Sequence, residues 1–229
     1  DWIDLYQVHR PDPTADIDET LGALTDLVRA GKIRYFGHST YPASHIVEAQ
    51  WVAQKRGRER FVCEQPPYSI LVRAIEAEIL PVCQQYGIGV IPWSPLAGGW
   101  LTGRFRKGQD APKSNRATRI PDRYDLSSAE NQIKLEAVEK LALLAEDAGI
   151  TMIDLALGFV LAHPAVTSPI IGPRTMEQLE SQLGAAENRL ADDVLDRIDE
   201  IVPPGTTLNR ADAGWDPPAL ANKRLRRRR

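Results

Sequence analysis

The stretch Asp4-Leu5-Tyr6-Gln7-Val8-His9-Arg10-Pro11-Asp12 decides the architecture. Ile3, Leu5, Tyr6 and Val8 place apolar side chains on both parities, so neither face of the strand is meant for water. That is the habit of a parallel strand covered on both sides. Pro11 has no N–H with which to continue a ladder, so His9 stands where the strand ends. In an α/β barrel the carboxyl ends of the strands form the functional face. A lone histidine is as readily a core residue bonded to backbone, and the remainder of the chain has to decide between the two.

Working outward, Asp16-Ile17-Asp18-Glu19 reads as a capped helix start, and Ile17, Leu21, Leu24 and Val28 keep helical spacing until Gly31. A strand over residues 33–37 leads into His38-Ser39-Thr40, and a helix marked by Ile46, Ala49 and Ala53 closes at Gly57. A third strand over 61–65 stops at Pro66-Pro67. A helix over 73–86 follows, then a fourth strand over 88–94 that runs into Pro95-Leu96-Ala97-Gly98-Gly99. From 104 to 125 periodicity vanishes, and Gly108, Pro112, Pro121 and seven Lys/Arg predict a long mobile loop. Two helices with capping boxes at 127–130 and 151–154 come next. A fifth apolar run, Val166-Thr167-Ser168-Pro169-Ile170-Ile171, reaches Gly172-Pro173-Arg174, and two further helices follow, with Met176, Leu179 and Leu183 in one and Val194, Leu195, Ile198 and Ile201 in the last. The expected division is a body over residues 1–202 and an irregular tail with a basic end over 203–229.

The chain has 229 residues, 43% hydrophobic and 26% charged, the composition of a globular domain with a sizeable core. Six of the 28 basic residues crowd into the last seven positions, and without them 22 face 31 acidic ones. An acidic body argues against nucleic acid as a partner, and a solvated tail is the plain reading of the basic end. Cys63 and Cys83 are the only cysteines, with no CxxC and no histidine pair at metal spacing, which predicts a reducing compartment and no metal site. No apolar run approaches membrane-spanning length and no signal-peptide pattern opens the chain, so a cytoplasmic setting without a membrane partner is expected. Oligomeric state is not legible.

Strand, loop and helix repeated five times is the grammar of a parallel α/β protein. The doubly wound nucleotide fold fits it, but no GxGxxG or GxxxxGK[ST] follows any strand. The polar residues favour the barrel, because His9, Ser39, Gln65, Trp93 with Ser94, and Gly172 with Arg174 all fall just past a strand's carboxyl end. Strand ends that converge in this way are how barrel enzymes build a site.

Together with the opening stretch, Gly37-His38-Ser39, Glu64-Gln65-Pro66-Pro67-Tyr68-Ser69, Trp93-Ser94-Pro95-Leu96 and Ile170-Ile171-Gly172-Pro173-Arg174-Thr175 resemble the aldo-keto reductase superfamily in order and spacing. The resemblance implies an (α/β)8 TIM barrel, of which this chain would hold strands 4 to 8 and two accessory helices. It also implies NADPH as cofactor and hydride transfer to a small carbonyl substrate, an aldehyde or ketone. By the same resemblance His9 matches the active-site histidine that orients and polarises the carbonyl, a task suited to an imidazole. Ser39 and Gln65 match the pair that holds the nicotinamide carboxamide, which needs a donor and an acceptor. Thr40 stands where many members have asparagine. Trp93 matches the aromatic stacked on the nicotinamide. Ser94, Pro95, Leu96, Ala97 and Gly98 match the loop crossing the pyrophosphate, with Arg104 as a nearby basic residue. Gly172, Arg174, Gln178 and Gln182 match the adenosine end, where Arg174 could fork onto a 2′-phosphate and so favours NADP over NAD. Gln182 replaces the commoner asparagine there.

The family's catalytic tyrosine, lysine and aspartate belong to three βα units upstream of the matched blocks, and no tyrosine of this chain stands in the matching context. The expectation is therefore a fragment of a reductase, inactive alone. Potassium-channel β subunits resemble the same family and offer a second reading, a nucleotide-sensing regulatory subunit. In those, asparagine tends to replace the histidine, so His9 argues for an enzyme. A barrel enzyme of another superfamily would need metal ligands or paired carboxylates at the strand ends, and neither is present. His38, His45 and His163 are expected to be structural or exposed.

Overall fold

In the computed structural model, which describes residues 1–110, 112 and 115–227, four parallel strands lie in sequence order, each reached through a helical crossover. Strand β1 (Ile3–Val8) pairs with β2 (Ile33–His38) over its full length, and the short ladders β3 (Cys63–Glu64) and β4 (Gly89–Val90) extend the sheet. The elements between and beyond them are α1 (Ile17–Arg29), α2 (Ala43–Arg56), α3 (Ile79–Tyr86), α4 (Asn115–Arg119), α5 (Ala129–Asp147), α6 (Met152–Ala162), α7 (Met176–Leu183), α8 (Asp192–Ile201) and α9 (Pro218–Ala221).

The helix boundaries follow local chemistry. Asp16 caps α1 by accepting from the Asp18 N–H, and the left-handed Gly57 closes α2. Thr151 and Asp154 form the expected capping box of α6, whereas the cap of α5 is Ser128 rather than Ser127. The single helix expected over 73–86 is instead a 3-10 turn, Ala74–Glu76, followed by α3. Pro81 explains the break: it lacks an N–H and its ring opposes the carbonyl four residues back, so it is tolerated only in a helix's first turn.

Prolines also shorten the strands. The expected runs 61–65 and 88–94 reduce to two-residue ladders, with single parallel bridges at Pro67 to Trp93 beyond them. Among the described residues, 166–170 join the sheet through the single bridges Val90 to Val166 and Trp93 to Ile170 in place of a continuous fifth strand. Pro66, Pro67, Pro92 and Pro169 remove the donors a regular ladder needs. The expectation that β1 is covered on both faces is corrected: Ile3 is 50% and Tyr6 42% exposed, beside exposed Trp2 and Tyr35. β1 is the edge of the sheet; α1 and α2 bury a small core around Leu21, Leu24, Phe36 and Phe61, while Ile46 of α2 joins a larger one. A larger core runs from Tyr41 to Val202 around α3, α5, α6 and α8.

The segment 104–125 is irregular apart from α4 and a 3-10 turn, Pro121–Arg123, but it is anchored at both ends. Arg106 reaches Glu139 and Glu146 at 3.0 and 2.8 Å, while Trp100 stacks on Phe105 and on Tyr124. Lys113 lies outside the described residues, as do Arg228 and Arg229 of the basic end.

After Pro203 the chain is mostly irregular yet gripped by the body. The Arg73 N–H donates to Thr206 O at 2.7 Å and the Leu208 N–H to Leu71 O at 3.1 Å. Farther on, a buried polar latch forms. Lys134 Nζ, fully buried on α5, donates to Asp212 Oδ2 at 2.7 Å and to Arg123 O at 3.1 Å, and stands 4.3 Å over the Trp100 ring. Arg123 Nε donates to Asp212 Oδ1 at 2.5 Å, and Asn131 Oδ1 accepts from Asn209 Nδ2 at 2.8 Å. Burial pushes the Lys134 ammonium below its ordinary value, with Asp212 pulling the other way. Removing one partner of a buried ion pair leaves an uncompensated charge, so Asp212→Ala is expected to lower unfolding stability by about 3 kcal/mol or more, read by urea denaturation. A loss below about 1 kcal/mol, the scale of an exposed pair, would contradict the latch.

Candidate functional site

The four strand ends are stacked in one row by backbone hydrogen bonds. The Ser39 N–H donates to Val8 O at 2.9 Å, Gln65 N–H to His38 O at 2.9 Å, Trp93 N–H to Pro66 O at 2.9 Å, and Ile170 N–H to Pro92 O at 2.8 Å. Ser39, Gln65 and Trp93, singled out at strand ends, are each thereby tied to the segment before, and the row continues toward Gly172.

Within this row Ser39 and Gln65 meet directly. The Ser39 hydroxyl donates to Gln65 O at 2.7 Å and accepts from Arg10 Nη1 at 3.2 Å. Gln7 Nε2 donates to Gln65 Oε1 at 3.2 Å, which leaves the Gln65 amide N–H group as a donor with no partner among the described residues. Gln7 can cross β2 to reach Gln65 because Gly37 lies beneath it: a Cβ there would stand 2.0 Å from Gln7 Oε1 and 2.5 Å from Cys63 O. His9 is at the end of β1 as expected, with its side chain exposed.

The turn that carries Ser39 is held by a buried carboxylate that the sequence reading passed over. Glu64 and His38 are both fully buried, His38 Nδ1 hydrogen-bonds Glu64 Oε2, and Glu64 Oε1 accepts the Thr40 N–H at 2.8 Å. Thr40 needs that hold, since it sits at φ 61°, a left-handed conformation rare for a β-branched residue. His38 itself is structural, stacked on Tyr41 with centroids 4.7 Å apart.

Trp93 is half-buried and lines a cleft of about 350 Å³ with Arg10, Ile120, Arg123, Arg210 and Trp215. Gly214 brings the tail against it, for a Cβ at Gly214 would lie 2.9 Å from Trp93 Cζ2. Arg10, Arg210 and Trp215 were not singled out from the sequence. Arg10 adjoins His9 and carried a readable sign, but nothing in the tail's composition says that it folds back onto Trp93.

The loop after Trp93 turns tightly through positive φ at Ser94, Ala97, Gly98 and Gly99. Three of its N–H groups are spent within the loop: Gly98 donates to Ser94 Oγ at 3.0 Å, Ala97 to Ser94 O at 2.8 Å and Gly99 to Leu96 O at 2.8 Å. Pro95 and Leu96 belong to the same turn, and Arg104 Nη2 stands 3.5 Å from where a Gly99 Cβ would be. At the far end of the row, Arg174, exposed, donates its N–H to Gln178 Oε1 at 2.9 Å, and its guanidinium makes no ion pair among the described residues. Gln182 is buried, donates Nε2 to Gln178 O at 2.7 Å, and keeps an unpartnered Oε1. Gly172 precedes this turn in open space. Burial raises the thiols of Cys63 and Cys83 to about 11 and about 12, which removes both as nucleophiles at neutral pH.

The model of the Aldo/keto reductase family matches residues 1–203. The chain belongs to this family. Similar proteins include the uncharacterized oxidoreductase YrpG of Bacillus subtilis, 42% identical over 203 residues that cover 89% of this chain and 59% of that protein. A putative voltage-gated potassium channel subunit beta of Schizosaccharomyces pombe is 34% identical, covering 88% of this chain and 59% of that one. A putative aryl-alcohol dehydrogenase of the same yeast is 35% identical, with 87% and 55% covered. The chain thus spans less than two thirds of the length of these relatives. The aldo/keto reductase family implies an α/β barrel fold, and the parallel sheet with its helical crossovers is in accord with that. No helix among the described residues is long and apolar enough to cross a membrane.

The strain at Thr40 generates a test. Asparagine tolerates the left-handed region better than threonine, so Thr40→Asn is expected to raise stability by about 1 kcal/mol in thermal or urea unfolding. A clear destabilisation would show that the Thr40 methyl and hydroxyl contacts outweigh the backbone.

Proposed function

We propose that this chain is the cofactor-binding portion, about strands 4 to 8 and two accessory helices, of an NADP(H)-dependent oxidoreductase that reduces aldehydes or ketones to alcohols. The observation that carries the reading is the row of strand ends, which brings Ser39, Gln65 and Trp93 together beside a cleft reached by Arg10. The residues suit a nicotinamide dinucleotide. The free Gln65 amide donor and the Ser39 hydroxyl complement a carboxamide, and the half-buried Trp93 offers an aromatic face. The unpaired Arg174 and the orphaned buried Gln182 Oε1 would take the adenosine end, and an arginine free to fork onto phosphate favours NADP over NAD. A nicotinamide dinucleotide, when bound, supplies the hydride.

His9 then has a definite task. Its exposed imidazole, at the end of β1, would donate a hydrogen bond to the substrate carbonyl oxygen while neutral and so hold it where charge develops. Arg10 supports this place indirectly, with Nη1 donating to both His9 O at 2.6 Å and Ser39 Oγ. The exposed apolar edge of β1, Trp2, Ile3 and Tyr6, suits a sheet that continues in further strands, which fits the reading of the chain as part of a larger barrel. The similarity to the yeast potassium channel subunit beta favours a second reading, a nucleotide-sensing regulatory subunit. His9 weighs against it.

The test is NADPH oxidation with an aromatic aldehyde. The 229 residues alone are expected to give no turnover, and the protein extended by three upstream βα units to turn over steadily. His9→Ala in the extended protein should lower kcat by roughly 10²- to 10⁴-fold, the usual range for a general acid–base residue. Full activity from the 229 residues, or none lost in His9→Ala, would sink the reading.

A further inference from the structure

The cleft beside Trp93 carries more positive charge than the residues around it neutralise. Arg10 donates only to neutral acceptors, His9 O at 2.6 Å and Ser39 Oγ at 3.2 Å. Arg123 shares the one carboxylate of Asp212 with the buried Lys134, at 2.5 and 2.7 Å, so two cations face a single anion. Only Arg210 has a carboxylate to itself, that of Asp216 at 2.8 Å, and this pair is more than half exposed. Three guanidiniums thus open onto one cleft, and among the described residues two positive charges of its walls and their partners remain uncompensated. Of the other walls, Trp93, Trp215 and Ile120 are flat or apolar, and Asp216 is the one acidic residue among them.

We infer that this cleft selects a carbonyl compound bearing a carboxylate, its apolar body against Trp215 and Ile120 and its acid group on the arginines, with Trp93 left to the nicotinamide. The inference rests on the reductase reading of the same site and deepens it by naming a substrate class. A guanidinium presents paired N–H donors in the geometry of a carboxylate, and a bound anion would relieve the excess charge. A cleft of about 350 Å³ is roomy enough for a small aromatic acid. The exposed Arg210–Asp216 pair is the adjustable part. Asp216 competes with an incoming acid for Arg210, and a pair so exposed costs little to exchange.

The experiment is titration calorimetry on the 229-residue chain with 4-carboxybenzaldehyde, with its neutral methyl ester, and with inorganic phosphate. The acid is expected to bind about tenfold more tightly than the ester, with Arg210→Gln weakening it about fivefold and leaving the ester unchanged. Asp216→Asn, which frees Arg210, is expected to tighten the acid by a similar factor, a gain that a chain with a damaged fold would not show. Equal binding of acid and ester, or acid binding untouched in both variants, overturns the inference. So does phosphate binding as tight as the acid, which would assign the arginines to cofactor phosphates instead. NADPH binding to the same chain, followed by its own fluorescence, separates the two levels. Acid selectivity can fail while NADPH still binds, and the reductase reading then stands; absent NADPH binding undoes that reading.

Discussion

A buried carboxylate accepts one hydrogen bond from a buried imidazole and one from a strained peptide, and the geometry of the strand ends depends on it. Glu64 lies wholly out of water between β2 and β3, where an unpaired carboxylate would be costly. His38 and the Thr40 N–H satisfy its two oxygens, and in doing so they fix the turn out of β2 in a left-handed conformation. That turn aims the Ser39 hydroxyl at Gln65 O on the neighbouring strand. The same carboxylate therefore joins two strands and sets the first polar contact of the site.

The other half of the site is assembled from segments far apart in the chain. Asn131 and Lys134 on α5 gather the 121–125 turn and the tail around Asp212, and this places Arg123, Arg210 and Trp215 opposite Trp93. A lysine buried against a tryptophan ring and a shared aspartate is an expensive way to attach a tail, and an apolar contact of the same size would serve stability as well. Its use here is geometric: directional bonds fix where the tail lies, which apolar packing alone would leave looser. The basic and aromatic lining of the cleft is a consequence of that placement.

The sequence spoke most clearly where chemistry is local. Helix ends were legible from Asp16, Gly57 and Thr151, and the strand-end positions of His9, Ser39, Gln65 and Trp93 from where apolar runs stop, at His9 and Gln65 beside a proline. Lengths of ladders were not, because each proline removes donors from the partner strand's pairing as well as its own. The helix expected over 73–86 begins only at Ile79, because Pro81 is tolerated in a first turn and not in a helix interior. Glu64 looked like an ordinary polar residue in a strand, since its partners come from the next strand over and no spacing announces them. The latch left one sign, Asn131 and Lys134 falling on the stripe of Leu135, Val138 and Leu141 that α5 buries. A polar pair on an apolar stripe asks for partners, and the tail supplied them.

The proposed function makes Trp93, in one row with Ser39 and Gln65, the platform for a nicotinamide ring. Saturation-transfer NMR of NADPH with this chain reads it most directly, because the signal reports which protons of the ligand lie against the protein. Strong transfer to the nicotinamide ring protons is expected, lost in Trp93→Ala while transfer to the adenine protons persists. Nicotinamide transfer that is weak in the native chain, or unchanged in Trp93→Ala, would contradict it.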